Sequence, residues 1–187
     1  MGMPTPGPGV TLIDEEGRPV GKGEVGEIAL KPDSPAIFDG YWKSPELDKE
    51  AFSGGWYRTG DLVRMDEDGY LFFEGRADDV ILTSGYRIGP FEVEDALVSH
   101  PAVVEAAAVA SPHRDRGEIV KAFVILASGY APSEELTKEL QDHVKSETAP
   151  YKYPRAIDYV TELPKTTSGK IKRAELKKRE WEGWDRG

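Results

Sequence analysis

The pattern of the sequence changes near Asp78, and this change limits the folds available to the chain. Before it, short predicted strands alternate with turns that contain Gly and Asp. After it, strongly apolar strands alternate with segments of helical periodicity. The sequence therefore predicts an α+β protein in two parts, with a boundary between Gly75 and Asp79.

The first part is predicted to be rich in β-structure. We expect strands over residues 10–14, 25–31, 61–65 and 70–74, with turns at 15–18 and 66–69. A short helix should begin at Pro45, because proline suits the first turn of a helix. Glu46 and Asp48 lie near the positive end of its dipole, which favours the same assignment.

The second part is predicted to be a compact α+β unit of roughly a hundred residues. Strands are expected over 79–82, 103–110, 119–126 and 156–160, and helices over 90–99 and 173–181. A further helix should start after Ser133, a typical N-cap residue. It would carry Leu136, Leu140 and Val144 on one face.

Composition excludes several classes of site and partner. The 187 residues carry a formal net charge of -10, which argues against a broad nucleic-acid surface. With no cysteine, disulfides and thiolate zinc sites are excluded, and the three histidines form no close ligand pair in the sequence. No apolar run is long enough to span a bilayer, and the N-terminus lacks the features of a signal peptide. We therefore expect a cytoplasmic protein without a metal site of its own.

The segment PKTTSGKIKR, residues 164–173, places four cations within ten residues of this acidic chain. It is not a Walker A loop, because Ile171 stands where that loop needs Ser or Thr. One interpretation is a solvated loop that precedes a basic helix. The other is an anion site, in which Gly169 allows a sharp turn and Lys170 projects towards a phosphate.

Two other segments contain residues that suit nucleotide chemistry. In YRTGD, residues 57–61, the Asp61 carboxylate could accept hydrogen bonds from the vicinal hydroxyls of a ribose, or satisfy backbone donors after a glycine turn. In GRADDVILTSGYRIGPFEVE, residues 75–94, Arg76 and Arg87 flank the expected boundary and Gly85 lies in a loop. Taken singly, these residues are most simply explained as surface charges and a turn.

Together and in this order, the three segments resemble the C-terminal part of the adenylate-forming (AMP-forming) acyl-CoA synthetase family, which includes luciferases and peptide-synthetase adenylation domains. The resemblance covers essentially the whole chain, and residues 136–155 look most like the medium-chain branch. It implies a ligase that activates a fatty acid with ATP to acyl-AMP and then transfers the acyl group to coenzyme A.

The resemblance also implies a role for each matching residue. Asp61 would hold the ribose hydroxyls, Arg76 would contact the nucleotide, and Lys170 would be the catalytic lysine that bridges carboxylate and phosphate. Asp78 matches the hinge of the family, and Arg87 matches an arginine near the reacting phosphate and acyl group. The expected coenzyme A-binding residues are Ser84, Gly85, Tyr86, Arg116, Lys145, Tyr153, Pro154 and Arg155.

By the same resemblance, residues 1–77 would be the terminal β-rich subdomain of a large N-terminal domain, and 78–187 a small mixed lid domain. The ATP phosphate loop, adenine pocket and acyl tunnel of the family are not found in this sequence. We therefore expect a truncated chain, a gene fragment or one piece of a complex, inactive without the missing N-terminal domain. Mg²⁺ would arrive with ATP and would not be held by this chain.

Two alternatives remain open. The chain could belong to an adenylating enzyme that loads a carrier protein, which the basic residues Arg116, Lys145 and Arg155 disfavour. It could also be a non-catalytic lid that binds coenzyme A or a partner.

Overall fold

The computed structural model describes residues 1–7 and 9–184. The chain divides into two compact units, the first being Met1–Asp78 and the second beginning at Asp79. Both units combine strands with helices, so the predicted α+β class is confirmed. Within the described part of the chain, no helix is long and apolar enough to cross a membrane.

The first unit is built on an antiparallel five-stranded sheet. Its strands run in the order β1-β2-β4-β3, and β5 pairs with β4. A helix, α1 (Pro45–Ala51), precedes β3 and has no buried residue. The strands are β1 (Thr11–Ile13), β2 (Val25–Leu30), β3 (Phe52–Ser53), β4 (Trp56–Met65) and β5 (Leu71–Arg76).

Strand β4 begins earlier than the sequence predicts. The glycine before Asp61 suggested a turn there, but Gly60 lies inside the strand with φ +76°. The pairing of Ala29 with Arg58 and of Glu27 with Leu62 leaves more residues on β4 than on β2 between these pairs. Gly60 therefore forms a β-bulge, a feature that uses the same conformational freedom of glycine as a turn does.

The second unit contains a mixed sheet and three helices. Strand β9 pairs antiparallel with β8, parallel with β10, and through the single pair Thr83–Gly117 with β6. A 3-10 turn, Ala77–Asp79, lies where the two units divide. The strands are β6 (Ile81–Thr83), β7 (Tyr86–Ile88), β8 (Val103–His113), β9 (Gly117–Leu126) and β10 (Ala156–Tyr159), and the helices are α2 (Pro90–Val98), α3 (Glu134–Glu147) and α4 (Arg173–Trp181).

The helices pack on both faces of this sheet. Helices α2 and α3 contribute to one apolar cluster with Ala106, Ala108 and Ala110 of β8. Leu176 of α4 belongs to a second cluster with Ala107 and Val109, the intervening residues of the same strand. Because successive side chains of a strand point to opposite faces, α4 lies on the face opposite α2 and α3.

Helix α3 follows its prediction closely. The Ser133 Oγ accepts a hydrogen bond from the backbone N–H of Leu136 at 3.1 Å, which makes it the N-cap. Leu136, Leu140 and Val144 are the buried residues of this helix, as their spacing indicated.

Candidate functional site

Asp61 and Arg76, the two nucleotide-contacting residues expected in the first unit, form an ion pair. They lie opposite each other in β4 and β5. The Arg76 Nη1 donates to Asp61 Oδ1 and to the Thr59 carbonyl, both at 3.1 Å, and Nη2 donates to Asp78 Oδ2 at 2.9 Å. Side-chain exposure is 32% for Asp61 and 40% for Arg76, so a ligand can reach both groups.

The Arg76 guanidinium carries a fixed positive charge. Its hydrogen bond to Asp78 raises its pKa above the ordinary value, burial opposes this, and Asp61 adds to the rise. The Asp61 carboxylate is therefore already balanced by a cation. Such a carboxylate suits neutral hydroxyl groups as ligands better than a second cation.

Gly60 allows Arg76 to reach this position. A Cβ at residue 60 would lie 2.5 Å from Arg76 Nη2 and 2.9 Å from Cζ, closer than any side chain tolerates. The positive φ of +76° also disfavours any residue with a side chain. The bulge therefore brings the guanidinium flat against the backbone beside Asp61.

Glu27, which the sequence analysis missed, holds this bulge from the other side. Its carboxylate is 7% exposed, accepts the Gly60 N–H at Oε1 (2.8 Å) and pairs with Arg58 Nη1 at Oε2 (2.8 Å). The available signal was an acid in the middle of the apolar strand VGEIAL. Its partners in β4 are 31 and 33 residues away, so no local pattern indicated them.

An open cavity of about 650 Å³ lies beside the Arg76 side chain in the first unit. Its walls combine carboxylates, an aromatic ring and backbone of the bulge, which gives both charge and hydrogen-bonding groups. The residues that line it include Glu27, Tyr41, Arg58, Gly60, Arg76 and Asp78.

In the second unit, Ser84 and Gly85 form the tight turn between β6 and β7. Both residues have positive φ, +50° and +84°, the combination found in type I′ hairpin turns. The Arg116 Nη1 donates to Ser84 Oγ at 3.0 Å and so brings one expected coenzyme A residue to the turn. No atom lies within 4 Å of a Cβ built at Gly85, so a side chain would have room there within this unit. The positive φ of Gly85 is therefore the feature that favours glycine.

Tyr86 connects this turn to the segment after α3. Its ring stacks on Tyr151 with centroids 4.2 Å apart and planes inclined by 15°. Tyr86 and its neighbour Arg87 are both exposed residues of β7. The stack gives the turn a firm lateral contact.

The Tyr153 ring contacts two cations that were expected to bind coenzyme A. Lys145 Nζ is 4.3 Å from the ring centroid and Arg155 Cζ is 4.9 Å from it. The Arg155 Nη1 also donates to the Tyr153 hydroxyl at 2.8 Å, and Lys145 Nζ donates to Asp142 Oδ1 at 2.7 Å. The aromatic ring thus contacts two positive groups, the half-buried Lys145 and the exposed Arg155, and such a pair suits a phosphate ligand.

The expected coenzyme A residues therefore form two groups. Ser84, Gly85, Tyr86 and Arg116 surround the β6–β7 turn, whereas Lys145, Tyr153 and Arg155 form the cation cluster. Pro154 is buried, and its carbonyl accepts a hydrogen bond from Gln141 Nε2 at 3.0 Å. Its contribution is to hold the chain, because its side chain is not open to a ligand.

Lys170 lies on a tight hairpin, residues 164–172, which we call the Lys170 hairpin. The Thr166 N–H donates to the Lys170 carbonyl at 2.8 Å, and the Gly169 N–H donates to the Thr166 carbonyl at 2.9 Å. The Thr166 Oγ1 accepts the Lys170 N–H at 3.0 Å. Gly169 adopts φ +84°, as expected for a glycine that closes a short turn.

Lys170 differs from the other three cations of PKTTSGKIKR. Lys165 pairs with Glu105 at 2.8 Å, Lys172 lies 4.0 Å from Glu175, and Arg173 pairs with Glu94. Within residues 1–7 and 9–184, the ammonium of Lys170 has no hydrogen bond or ion pair, and the residue is exposed. Three of the cations are thus held by carboxylates, and Lys170 is left available to an external anion.

The fold brings together two histidines that the sequence separates. The rings of His100 and His143 are 5.1 Å apart, and Glu139 Oε1 lies 3.2 Å from His100 Nε2. No group of three His, Cys, Asp or Glu side chains in the described residues could hold a metal ion.

Residues 92–170 match the family described as the AMP-binding enzyme C-terminal domain. The uncharacterized acyl-CoA ligase YtcI of Bacillus subtilis is 57% identical over 180 residues, which cover 96% of this chain and 34% of the relative. The mitochondrial acyl-coenzyme A synthetase ACSM4 of Homo sapiens is 57% identical over 180 residues, covering 93% of this chain and 31% of the relative.

Solved structures agree in both fold and coverage. An ATP-bound RpMatB–BxBclM chimera matches with a TM-score of 0.85 and 37% identity over 98% of this chain and 36% of the other. The anthranilate CoA ligase AuaEII in complex with anthranoyl-AMP matches with a TM-score of 0.79 and 40% identity over 95% of this chain and 34% of the other. The chain resembles the C-terminal part of the adenylate-forming acyl-CoA synthetases. The predicted resemblance is thereby confirmed.

The chain spans about a third of the length of these acyl-CoA synthetases. The matched family region ends at Lys170 and begins within α2. The wider matches extend over both units of the chain.

Proposed function

We propose that this chain supplies the nucleotide- and coenzyme A-handling residues of an AMP-forming acyl-CoA ligase, with a medium-chain fatty acid as substrate. The observation that carries the proposal is the exposed, unpaired Lys170 on its hydrogen-bonded hairpin, in a chain similar to acyl-CoA synthetases. The medium-chain substrate is supported by residues 136–155, which look most like that branch.

In the first half-reaction, the fatty-acid carboxylate attacks the α-phosphorus of ATP and pyrophosphate leaves. Lys170 would place its ammonium between carboxylate and α-phosphate, where charge is redistributed as the new bond forms. At 4 Å from a phosphate oxygen, a lysine gains about 4 kcal/mol at an effective dielectric near 20, but about 1 kcal/mol in water. Lys170 would therefore act only in a site closed to solvent.

Asp61 and Arg76 would bind the nucleotide. The carboxylate of Asp61 would accept hydrogen bonds from both ribose hydroxyls. Arg76 would fix the orientation of this carboxylate, because its Nη1 lies 3.1 Å from Asp61 Oδ1. Arg87 would lie near the reacting phosphate and acyl group.

In the second half-reaction, the thiol of coenzyme A attacks the acyl carbonyl and AMP leaves. The turn of Ser84 and Gly85, open on its outer side, would give room for the thin pantetheine arm. Lys145 and Arg155, which both contact the Tyr153 ring, would bind the phosphates of the coenzyme, together with Arg116.

We further propose that residues 1–77 are the terminal subdomain of a large N-terminal domain and that 78–187 form a lid, with Asp78 as the hinge. The side chain of Asp78 pairs with Arg76, which would bind the nucleotide together with Asp61. Mg²⁺ would enter with ATP and be held outside this chain.

The isolated chain should be inactive, because residues for the ATP phosphate loop and the acyl pocket are lacking. We expect no ATP–pyrophosphate exchange with fatty acids for the 187-residue chain. A chimera that joins this chain to the first two thirds of the Bacillus subtilis relative should show exchange. Exchange by the isolated chain would contradict the proposed location of the ATP site.

Lys170→Ala in this chimera tests the catalytic assignment. Removing one preorganised charge donor costs about 10²–10³ in rate, so adenylate formation should fall by that factor. Transfer from a supplied acyl-adenylate to coenzyme A should stay nearly intact, because Lys170 would act only in the adenylating orientation. Equal effects on both half-reactions, or none, would contradict the assignment.

Gly85→Leu is the matched control for the second half-reaction. A leucine side chain at this turn should block the pantetheine path and slow acyl transfer more than adenylation. The two variants should therefore show opposite patterns in the same pair of assays.

The alternatives are less well supported. The relatives are named acyl-CoA ligase and acyl-coenzyme A synthetase, which favours catalysis over a non-catalytic lid and coenzyme A over a carrier protein. The cytoplasmic location stays a prediction, since the relatives include both a bacterial protein and mitochondrial ones.

A further inference from the structure

Arg173 is the first residue of α4 and follows the Lys170 hairpin directly. Its Nε donates to Glu94 Oε1 at 2.8 Å and its Nη2 donates to Glu94 Oε2 at 2.5 Å. The two side chains are only 15% and 8% exposed. This is a two-pronged ion pair between residues 79 positions apart in the sequence.

The pair is enclosed by β8, by the 3-10 turn and by a second residue of α2. Glu94 Oε1 also accepts the backbone N–H of Ala108 in β8 at 2.8 Å. The Arg173 guanidinium lies over the Phe91 ring, with Cζ 4.3 Å from its centroid, and Nη1 is 3.9 Å from Asp79 Oδ2. Each polar group of the pair therefore has a defined partner, which fixes the guanidinium in one orientation.

Arg173 stays charged in this setting. Burial acts to lower its pKa, but the hydrogen bonds and charge of Glu94, followed by the charge of Asp79, outweigh it and raise the pKa. Its positive charge is therefore available for the ion pair with Glu94.

Apolar packing alone does not fix the start of α4. Leu176 is the one buried residue of this helix, whose sequence RAELKKREW is otherwise mostly charged or polar. The docking of its first turn therefore depends on the contact between Arg173 and Glu94.

The same contact reaches Lys170 through the backbone. The N–H of Lys172, next to Arg173, donates to the Pro164 carbonyl at 2.8 Å and closes the base of the hairpin. Lys165 and Ile171 form the next pair of the hairpin. A displacement of Arg173 would move this base and, with it, the Lys170 ammonium at the other end.

We propose that Arg173 and Glu94 are positioning residues that fix the Lys170 hairpin for adenylate formation. The proposal rests on the proposed function of Lys170. Neither residue would touch substrate; each acts through the geometry of the hairpin.

The first test uses the 187-residue chain itself and needs no activity. Amide hydrogen exchange is measured for Thr166, Gly169 and Lys172, whose N–H groups hold the hairpin. In Arg173→Gln and in Glu94→Gln, we expect the exchange rate at these amides to rise by about tenfold, because each variant loses a charged hydrogen bond that holds the hairpin. The amides of α3 should keep their protection.

The second test measures both half-reactions in the chimera. Displacing a catalytic group by about 1 Å can cost up to about 10²-fold, so each single variant should lower kcat for adenylation by about 10- to 100-fold. The KM for ATP and the acyl-transfer rate should change little. The double variant Glu94→Gln/Arg173→Gln should be no slower than the slower single variant, because both lose one shared interaction.

Two further variants separate geometry from charge. Arg173→Lys keeps the charge but cannot form the two-pronged contact, so it should restore only part of the rate. Lys178→Gln removes an exposed cation of the same helix, for which the described residues provide no ion pair, and should leave both assays unchanged.

The outcomes distinguish this proposal from the proposed function. Unchanged hairpin exchange in the variants, full recovery in Arg173→Lys, or equal losses in both half-reactions would overturn the positioning role. If Lys170→Ala leaves adenylation unchanged, the role of Lys170 is wrong, whatever the exchange data show.

Discussion

Gly60 shows how much one residue can contribute to the ion pair of Asp61 and Arg76, which we propose binds the nucleotide. Its positive φ forms the bulge in β4, and its lack of a side chain lets the Arg76 guanidinium approach the backbone. The bulge N–H is accepted by the buried Glu27. The conformation of the bulge and the close approach of Arg76 therefore both depend on glycine at position 60.

We expect Gly60→Ala to weaken nucleotide binding and to destabilise the first unit. A side chain at this φ costs about 1–3 kcal/mol of folding free energy, and the new Cβ would push Arg76 away from Asp61. In the chimera, the KM for ATP should rise, and urea unfolding of the first unit should move to lower concentration.

Gly69→Ala provides the matched control. Gly69 has a similar φ of +87°, but its nearest neighbour to a built Cβ is Met3 Cε at 3.8 Å, an ordinary contact. This variant should lose similar stability without a change in the KM for ATP. A similar rise in KM for both glycines would contradict the role of the Arg76 contact.

At the scale of elements, α4 depends on charged contacts at both of its ends. Near its C-terminus, Glu180 accepts hydrogen bonds from Ser111 Oγ at 2.8 Å and from Lys121 Nζ at 2.9 Å. Lys121 is also paired with Asp158 of β10. The helix is thus tied to three strands of the sheet by polar side chains.

We expect Glu180→Ala to loosen the last turns of α4 while the Lys170 hairpin stays protected. The substitution leaves the buried Ser111 hydroxyl without its acceptor, at a cost of about 1–3 kcal/mol. Amide exchange should rise in the second half of α4. Glu182→Ala, a substitution at an exposed neighbouring residue, is the control. If it raises amide exchange in the second half of α4 as much as Glu180→Ala does, the rise reflects general fraying of the helix end.

The sequence predicted those elements whose signals are local. Helix α4 was expected over residues 173–181 and is found at Arg173–Trp181. Strands β3 and β7 were missed, because two or three residues are too few to show periodicity. The exposed Lys170 also followed from its local segment.

The pairing of distant charges was not predictable from local signals. Glu94 and Arg173 both lie in segments that were recognised, yet their contact depends on how α2, β8 and α4 pack. Glu27 and Gly60 meet only through the register of β2 and β4. Such contacts depend on how helices pack and on which residues of two strands pair. Local patterns in a single sequence do not indicate either.

At the scale of the whole molecule, the two units have cores of different size. The apolar cluster of the first unit consists of Leu12, Val63 and Leu71, with partly buried neighbours. Large apolar side chains of the same unit are exposed, including Trp42 at 85% and Phe72 at 45%. The second unit buries residues from two helices and four strands in one cluster, and Leu176 of α4 in another. Because apolar burial is the main source of stability, the first unit should be the weaker one.

We expect the isolated chain to unfold in two steps in urea, with amides of β1 and β2 exchanging before those of β8 and β9. Each square ångström of apolar surface removed from water contributes about 25 cal/mol to the folding free energy. In a unit with a small core, this contribution exceeds the cost of lost chain entropy by little. In the chimera, the rest of the large domain would cover exposed apolar groups, and the first unit should gain protection. The second unit should unfold at a similar urea concentration in both forms, which makes it the internal control. A first unit that is as stable alone as in the chimera would contradict the proposal that residues 1–77 complete a larger domain.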